Sequence, residues 1–259
     1  MFIRKVLIAA ALALGAQTAS ADLITFEFSA NGVTDGGDPQ RATALFTFDT
    51  SNPDWLKITL TDDVAPTAKT ASELDGFSFA LSEALGALTL ESVSAQTILD
   101  CSNDNTVPCQ TYDGTEPSPY LWGSTFSGAS AELGAGYDGG TGFAYHPFAI
   151  INASYALPEN GNGNLANPEH NPFLVGPVDF IFTTGLTSIP DITSVTFLFG
   201  TRPDSQPGTC TTGDCTPVPC TNGDCSPPDL NVPEPHTLAL LGLGLVAVAW
   251  TARRRVIRV

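Results

Sequence analysis

A two-residue alternation of apolar and polar side chains is the feature that most limits how this chain can fold. Ile24, Phe26 and Phe28 alternate with polar residues, and the same period recurs in six later segments. The apolar positions of those segments are Ala44, Phe46 and Phe48; Leu56, Ile58 and Leu60; Phe77, Phe79 and Leu81; Leu88 and Leu90; Phe180 and Phe182; and Val195, Phe197 and Phe199. Because successive side chains of a strand point to opposite faces, this period predicts strands with one buried face.

Turn-forming pairs such as Asn31-Gly32 separate these segments, at the spacing expected of an all-β domain. We therefore predict an antiparallel β-sandwich or jelly-roll body over residues 22–200. Only residues 70–74 and 82–85 suggest short helices. Residues 100–172 are rich in Gly, Pro and Asn, and we expect them to form long loops on one rim of the body.

The N-terminal residues have the composition of an export signal. Two basic residues precede an apolar run over residues 6–16, and Ala19 and Ala21 are small residues at the two positions that a signal peptidase reads. We predict a signal helix within residues 1–21 and cleavage by signal peptidase before Asp22.

The C-terminal segment, residues 232–259, has three consecutive parts. These are a block of Val232, Pro233, Glu234 and Pro235, an apolar run over residues 238–250, and the cluster Arg253, Arg254 and Arg255. Thirteen helical residues span roughly 20 Å, less than the roughly 30 Å hydrocarbon core of a bilayer, so this predicted membrane helix needs its flanking residues to cross. The arginines should stay in the cytoplasm by the positive-inside rule, which leaves the body on the far side of the membrane.

The order of these three parts resembles the PEP-CTERM sorting signal of Gram-negative bacteria. The resemblance implies that Pro233, Glu234 and Pro235 form a recognition block at or near which an exosortase, an integral membrane enzyme, cleaves the chain. It also implies a temporary anchor in the inner membrane, a cytoplasmic arginine stop, and a final location at the cell surface or in the extracellular matrix, with extracellular polysaccharide as a neighbour. A permanent anchor that no enzyme cleaves is the alternative.

Residues 201–231 differ in composition from the body and predict a linker, because they hold six prolines, four cysteines and no aromatic residue. A Cys-x₄-Cys unit occurs twice in this segment. Local disulfides are the simplest pairing in an exported protein, and a four-thiolate metal site is the alternative. The predicted disulfides are Cys210 with Cys215, Cys220 with Cys225, and, in the body, Cys101 with Cys109.

Removing both terminal segments makes the chain strongly acidic. Four basic and 26 acidic side chains remain over residues 22–232, a net charge of −22. Phosphate binding requires a basic face, so nucleic acid and anionic lipid are disfavoured as partners. Divalent cations and neutral or cationic polymers remain compatible with this charge, and solubility alone would also account for it.

No arrangement of residues in the body predicts catalysis, so we expect neither an enzyme nor a resident cofactor. His146 and His170 do not belong to a metal-ligand pair, and we interpret both as surface loop residues. Ser78 follows Gly76-Phe77, but the segment lacks the second glycine of a nucleophile elbow. We interpret Ser78 as an outward strand residue.

The sequence thus predicts an exported surface or matrix protein with a non-catalytic structural role, and two alternatives remain. One is a carbohydrate- or calcium-binding module. Calcium could bind at residues 35–38 or 138–140, neither of which has EF-hand spacing. Sugars could stack on exposed aromatic residues of the middle region, namely Tyr112, Tyr120, Trp122, Tyr137 and Tyr145. The other alternative is a secreted hydrolase acting on polysaccharide or lipid.

Overall fold

The structure is a computed structural model that describes residues 23–67, 69–101, 109–115, 122–136, 143–144, 147–155, 165, 170–200 and 204–212. Within these residues the chain forms one short 3-10 helix, Thr70–Ser72, and fourteen strands. The strands are β1 (Leu23–Val33), β2 (Pro39–Asp49), β3 (Asn52–Asp62), β4 (Leu74–Leu81), β5 (Thr89–Asp100), β6 (Gln110–Thr115), β7 (Trp122–Ser127), β8 (Ser130–Ala135), β9 (Ile150–Ile151), β10 (Phe173–Val175), β11 (Val178–Thr183), β12 (Ile192–Phe199), β13 (Asp204–Pro207) and β14 (Thr209–Cys210). The described part of the chain is therefore all-β, as predicted for the body.

All fourteen strands belong to one mixed sheet. Its main path runs β13-β12-β4-β9-β10-β5-β11-β3-β2-β1-β14, while β6 pairs with β5, β8 with β4, and β7 with β8. The β9–β10 pair is parallel. The other pairs between these strands are antiparallel.

The sheet folds over, so that strands distant along its path face each other. Phe46 of β2 lies 5.7 Å from Phe77 and 5.3 Å from Phe79 of β4, measured between ring centroids. Six strand spacings separate β2 from β4 along the path, which would be about 29 Å in a flat sheet. Direct ring contact therefore requires β2 and β4 to face each other across a shared core.

The alternating apolar residues fill this core. Phe26, Phe28, Phe46, Phe48, Phe77, Phe79, Phe180, Phe182, Phe197 and Phe199 are all buried in one cluster. Burying each such ring contributes about 1.5–3 kcal/mol, so these strands are stable only when both halves of the sheet meet. A second, smaller cluster contains Leu99, Ala149, Ile151, Leu165, Phe173 and Val175, with Cys101 and Cys109 packed against it.

The body extends further towards the C-terminus than residue 200, where the sequence prediction ended it. β13 pairs with β12, and β14 pairs with β1, so residues 204–210 belong to the sheet rather than to a linker. Thr211 continues the attachment, since its N–H donates to the carbonyl oxygen of Glu27. The side chains of these two strands are exposed or half-buried, so hydrogen bonds between backbones hold the strands in the sheet. Such strands show no alternation of apolar and polar residues, and the sequence therefore did not predict them.

The middle of the chain also differs from its prediction. Residues 100–172, expected to form long loops, contribute β6, β7, β8 and β9 to the sheet. Residues 70–72 form the short helix that was expected near them, whereas residues 82–85 form a bend without helix. No helix within the described ranges is long and apolar enough to cross a membrane. The predicted signal helix and the predicted membrane helix at residues 238–250 lie outside these ranges.

Candidate functional site

Strand β4 connects two polar regions of the body. At its beginning Glu73 and Asp75 lie with Asp62 in a buried group that we call the acidic cluster. At its end Ser78 and Ala80 line an open depression that we call the hydroxyl groove. Ser78 and Ala80 alternate with the core positions Phe77 and Phe79 and therefore lie on the opposite, outward face of the strand, whereas Asp75 is two residues from Phe77 and lies on the buried face.

Asp62, at the end of β3, organises the loop that follows it. Its Oδ1 accepts a hydrogen bond from the N–H of Val64 at 2.9 Å, and its Oδ2 accepts one from the hydroxyl of Thr67 at 2.7 Å. Burial is the main cause that raises the pKa of Asp62 to about 7, and the bonds from Thr67 and Val64 oppose this rise. Asp62 therefore gains a proton far more readily than an exposed carboxylate does.

Glu73 and Asp75 are fully buried, and their four carboxylate oxygens have no hydrogen-bond partner among the described residues. Burial raises the pKa of Glu73 well above its ordinary range, and the negative charge of Asp62 raises it further. Burial also raises the pKa of Asp75, with an added contribution from Glu73. Ionising all three carboxyls at once is costly, because each charge is desolvated and repels the others.

His170 lies beside this cluster, which corrects its interpretation as a surface loop residue. Its side chain is only 12% exposed, and its Nδ1 lies 4.0 Å from Oε1 of Glu73. The sequence could not indicate this position, because His170 and Glu73 are far apart along the chain and are brought together by the fold. A protonated His170 would offset part of the charge on Glu73.

The acidic cluster is not accessible to a large substrate, since Asp62, Glu73 and Asp75 each have 0% exposure. In the part of the chain that the structure describes, no group of three or more His, Cys, Asp or Glu side chains has the arrangement needed to hold a metal ion. The raised pKa values of these carboxyls couple their uptake and release of protons to stability.

The hydroxyl groove lies on the outward face of β12, β4, β8 and β7 and has a volume of about 430 Å³. Its lining residues include Ser78, Ala80, Thr125, Ser127, Ser130, Glu132 and Ser194. In contrast to the acidic cluster it is open to solvent, and Ser127 and Ser130 are exposed. Open polar side chains on a firmly paired sheet are suited to hydrogen bonding with a ligand.

One of the predicted exposed aromatic residues has a position different from that expected, and another is exposed as expected. Trp122, expected among exposed aromatic residues, is buried at 1% exposure, with its ring 4.8 Å from that of Phe180. Its Nε1 donates a hydrogen bond to the carbonyl oxygen of Phe148 at 2.8 Å, which satisfies the polar atom of a core residue. Tyr112 is 48% exposed on β6. The prediction of an exposed aromatic platform that includes Trp122 is therefore wrong.

Ser78 lies within β4, opposite Thr196 of β12 and Glu132 of β8, so it is not at a strand-to-helix turn. Its side chain is half-buried on the outward face, in agreement with its interpretation as an ordinary strand residue.

The candidate calcium loop at residues 35–38 forms the tight connection between β1 and β2. The Gly37 N–H donates to the carbonyl oxygen of Thr34, and Gly37 has a φ of 83° that favours glycine. Asp38 pairs with Nζ of Lys69, which occupies its Oδ1 with a cation from the protein itself.

Of the candidate cysteines, Cys101 and Cys109 form a disulfide that closes the loop between β5 and β6. Cys210 is also disulfide-bonded. Several other predicted positions lie outside the described residues. These are Ala19, Ala21, Asp22, Tyr120, Tyr137, His146, Tyr145, Cys215, Cys220, Cys225, Val232, Pro233, Glu234, Pro235, Arg253, Arg254, Arg255 and the loop at residues 138–140.

Comparison with known proteins identifies the C-terminal segment. Residues 231–255 match the family model of the PEP-CTERM protein-sorting motif, at the position where the sequence resemblance placed it. This motif defines a class of exported proteins of Gram-negative bacteria that an exosortase-type membrane enzyme processes. No curated protein and no solved structure matches the chain. The match therefore concerns sorting, while the function of the β body has to be argued from its own residues.

Proposed function

We propose that this chain is a surface or matrix component without catalytic activity, delivered by its PEP-CTERM segment. The match at residues 231–255 is the observation that supports this proposal most strongly. In this scheme a signal peptide over residues 1–21 directs export, and signal peptidase cleaves before Asp22. The segment over residues 238–250 then holds the chain in the inner membrane until an exosortase cleaves near Pro233–Pro235.

The body in this proposal is a β-sandwich of jelly-roll type that serves as a stable exposed module. The contacts of Phe46 with Phe77 and Phe79 support a two-layered arrangement. A structural role is favoured over hydrolysis because the three carboxylates of the acidic cluster are shielded from solvent. A glycosidase needs two carboxylates on either side of a cleft that the substrate enters.

Replacing Arg253, Arg254 and Arg255 together by alanine tests the sorting role. We expect the wild-type chain to be shortened at its C-terminus in its native host, and the triple variant to remain uncut or to be lost from the membrane, because the cytoplasmic stop is gone. Lys57→Ala is the matched control, since Lys57 lies in the body and pairs with Asp179 at 3.3 Å.

Normal processing of the triple variant would contradict the role of the arginines. Turnover of polysaccharide or ester substrates by the purified full-length chain would contradict the absence of catalysis. The two results are independent, so each part of the proposal can fail without the other.

A further inference from the structure

The hydroxyl groove is built from two in-register rows of side chains. Strand pairing places Thr196, Ser78, Glu132 and Thr125 side by side in one row, across β12, β4, β8 and β7. The same pairings place Ser194, Ala80, Ser130 and Ser127 in the next row. Strands lie about 4.8 Å apart, so each row spans roughly 14 Å on a surface whose shape is fixed by backbone hydrogen bonds.

The hydroxyls of this groove are available for a ligand. Ser78, Thr125, Ser127, Ser130 and Ser194 make no side-chain hydrogen bond to another described residue. Other hydroxyls of the body bond to its own carboxylates, since Thr43 donates to Asp63, Thr59 to Asp179 and Thr183 to Glu91. Each hydroxyl offers one donor and two acceptor sites, so five of them can recognise a surface rich in hydroxyl groups.

The charge of the groove selects against anionic ligands. Glu132 is its one ionisable residue, and the three basic residues that the structure describes bond elsewhere. Arg41 donates to Asn31, Lys57 pairs with Asp179, and Lys69 pairs with Asp38. A phosphorylated or carboxylated ligand would meet no cation there and would approach a body of strongly negative charge.

We propose that the hydroxyl groove binds a neutral saccharide chain. A saccharide presents hydroxyl groups that both donate and accept hydrogen bonds, which matches the side chains in the two rows, and it has no charge for the acidic body to repel. A volume of about 430 Å³ lies within the range of ligand sites, and an open groove lets the polymer continue beyond it.

This inference extends the proposed surface role by giving the body a ligand, and native gels containing a neutral polysaccharide test it. Galactomannan, mixed-linkage β-glucan and dextran are the probes, and alginate is the anionic counterpart. The full-length chain in mild detergent should migrate more slowly in at least one neutral gel and unchanged in alginate. Retardation at several polymer concentrations gives a dissociation constant.

Ser130→Phe is the decisive variant, because a ring at the centre of the second row should occupy the groove. We expect it to weaken binding by about tenfold or more, as for a central contact of an interface. Ser92→Phe is the matched control, since Ser92 is also an exposed serine within a strand, β5, and lies outside the groove. A double variant, Ser78→Ala with Ser194→Ala, should weaken binding without adding volume.

Three results would overturn the proposal: no retardation in any neutral gel, equal binding by the Ser130→Phe and Ser92→Phe variants, or retardation in alginate alone. Thermal unfolding of each variant shows whether a loss of binding reflects a loss of folding, and the double alanine variant tests the groove if Ser130→Phe does not fold. Processing in the native host should be normal for every variant. A failure of saccharide binding therefore leaves the sorting proposal intact.

Discussion

The two ends of strand β4 place polar side chains in opposite surroundings. Glu73 and Asp75, at its beginning, are sealed from water, whereas Ser78, towards its end, faces an open groove. Burial penalises a charged group that has no partner, so the acidic cluster should control stability and its dependence on pH. Exposed hydroxyl groups already form hydrogen bonds with water, so replacing them should change the free energy of unfolding little. These groups are suited to binding a ligand rather than to stabilising the fold. The difference shows that polar residues on one strand can have separate roles.

The largest expected effect is a loss of stability as the pH rises. Asp62 has a folded-state pKa of about 7 against an ordinary 3.8, so its folded form holds a proton that its unfolded form has released. This contribution is complete below pH 4 and is lost as the pH rises through 7, amounting to roughly 4 kcal/mol. The raised pKa values of Glu73 and Asp75 act in the same direction.

Urea unfolding between pH 4.5 and 8.5 measures this effect. Repulsion among surface carboxylates also weakens the fold at high pH, so the series is run in 0.5 M salt, which screens exposed charges but not buried ones. A free energy of unfolding that stays constant or rises with pH would contradict the conclusion that the buried carboxyls of the acidic cluster take up protons on folding.

Glu73→Gln should stabilise the protein at pH 8, because the neutral amide removes the cost that the raised pKa of this buried carboxyl imposes on folding above its ordinary range. We expect a gain of roughly 1–3 kcal/mol at pH 8 and little change at pH 4.5, where the native carboxyl is already neutral. Thermal or urea unfolding at both values measures it. Asp35→Asn, in the exposed turn after β1, is the control and should show no such dependence.

Thr67→Val should destabilise the protein by about 1–2 kcal/mol, since the Thr67 hydroxyl donates to Asp62 and the replacement has a similar shape. Loss of this donor should also move the pH dependence of unfolding to higher pH. Thr125→Val in the hydroxyl groove is the matched substitution. An equal loss in the free energy of unfolding for both variants would contradict the view that the acidic cluster stabilises the fold and the hydroxyl groove does not.

The smallest expected effect is that of Ser78→Ala, which should change the free energy of unfolding by less than about 0.5 kcal/mol. The Ser78 hydroxyl forms no hydrogen bond with another described residue, even though Ser78 lies on β4, the strand that begins directly after Glu73. Urea unfolding at pH 6 checks this value, and a loss above 1 kcal/mol would show that the groove contributes to the fold itself.

Much of the fold follows from sequence, because alternating apolar residues leave a readable period. The segments around Phe26, Phe46, Ile58, Phe77, Phe180 and Phe197 are strands of the structure, as that period predicts. The sequence prediction missed strands β6, β7, β8, β9, β10, β13 and β14. For β6, β13 and β14 the reason is that backbone hydrogen bonds hold them while many of their side chains face solvent, so the sequence shows no apolar pattern there.

The acidic cluster and the hydroxyl groove were missed for a different reason. Asp62 and Glu73 resemble surface residues in any local window, and only the pairing of distant strands encloses them. Ser78, Ser130 and Ser194 become neighbours through strand register, which a single sequence does not specify. The C-terminal sorting segment was predictable because consecutive residues of the chain define this motif, without any contribution from the fold.

We expect this β body to be exported and then separated from its sorting segment. Intact mass, with peptide mapping of both ends, of the protein recovered from its native host is the decisive measurement. The expected chain begins at Asp22 and ends near Pro233–Pro235. A chain that still extends to Val259 would contradict it and would make the C-terminal segment a permanent anchor.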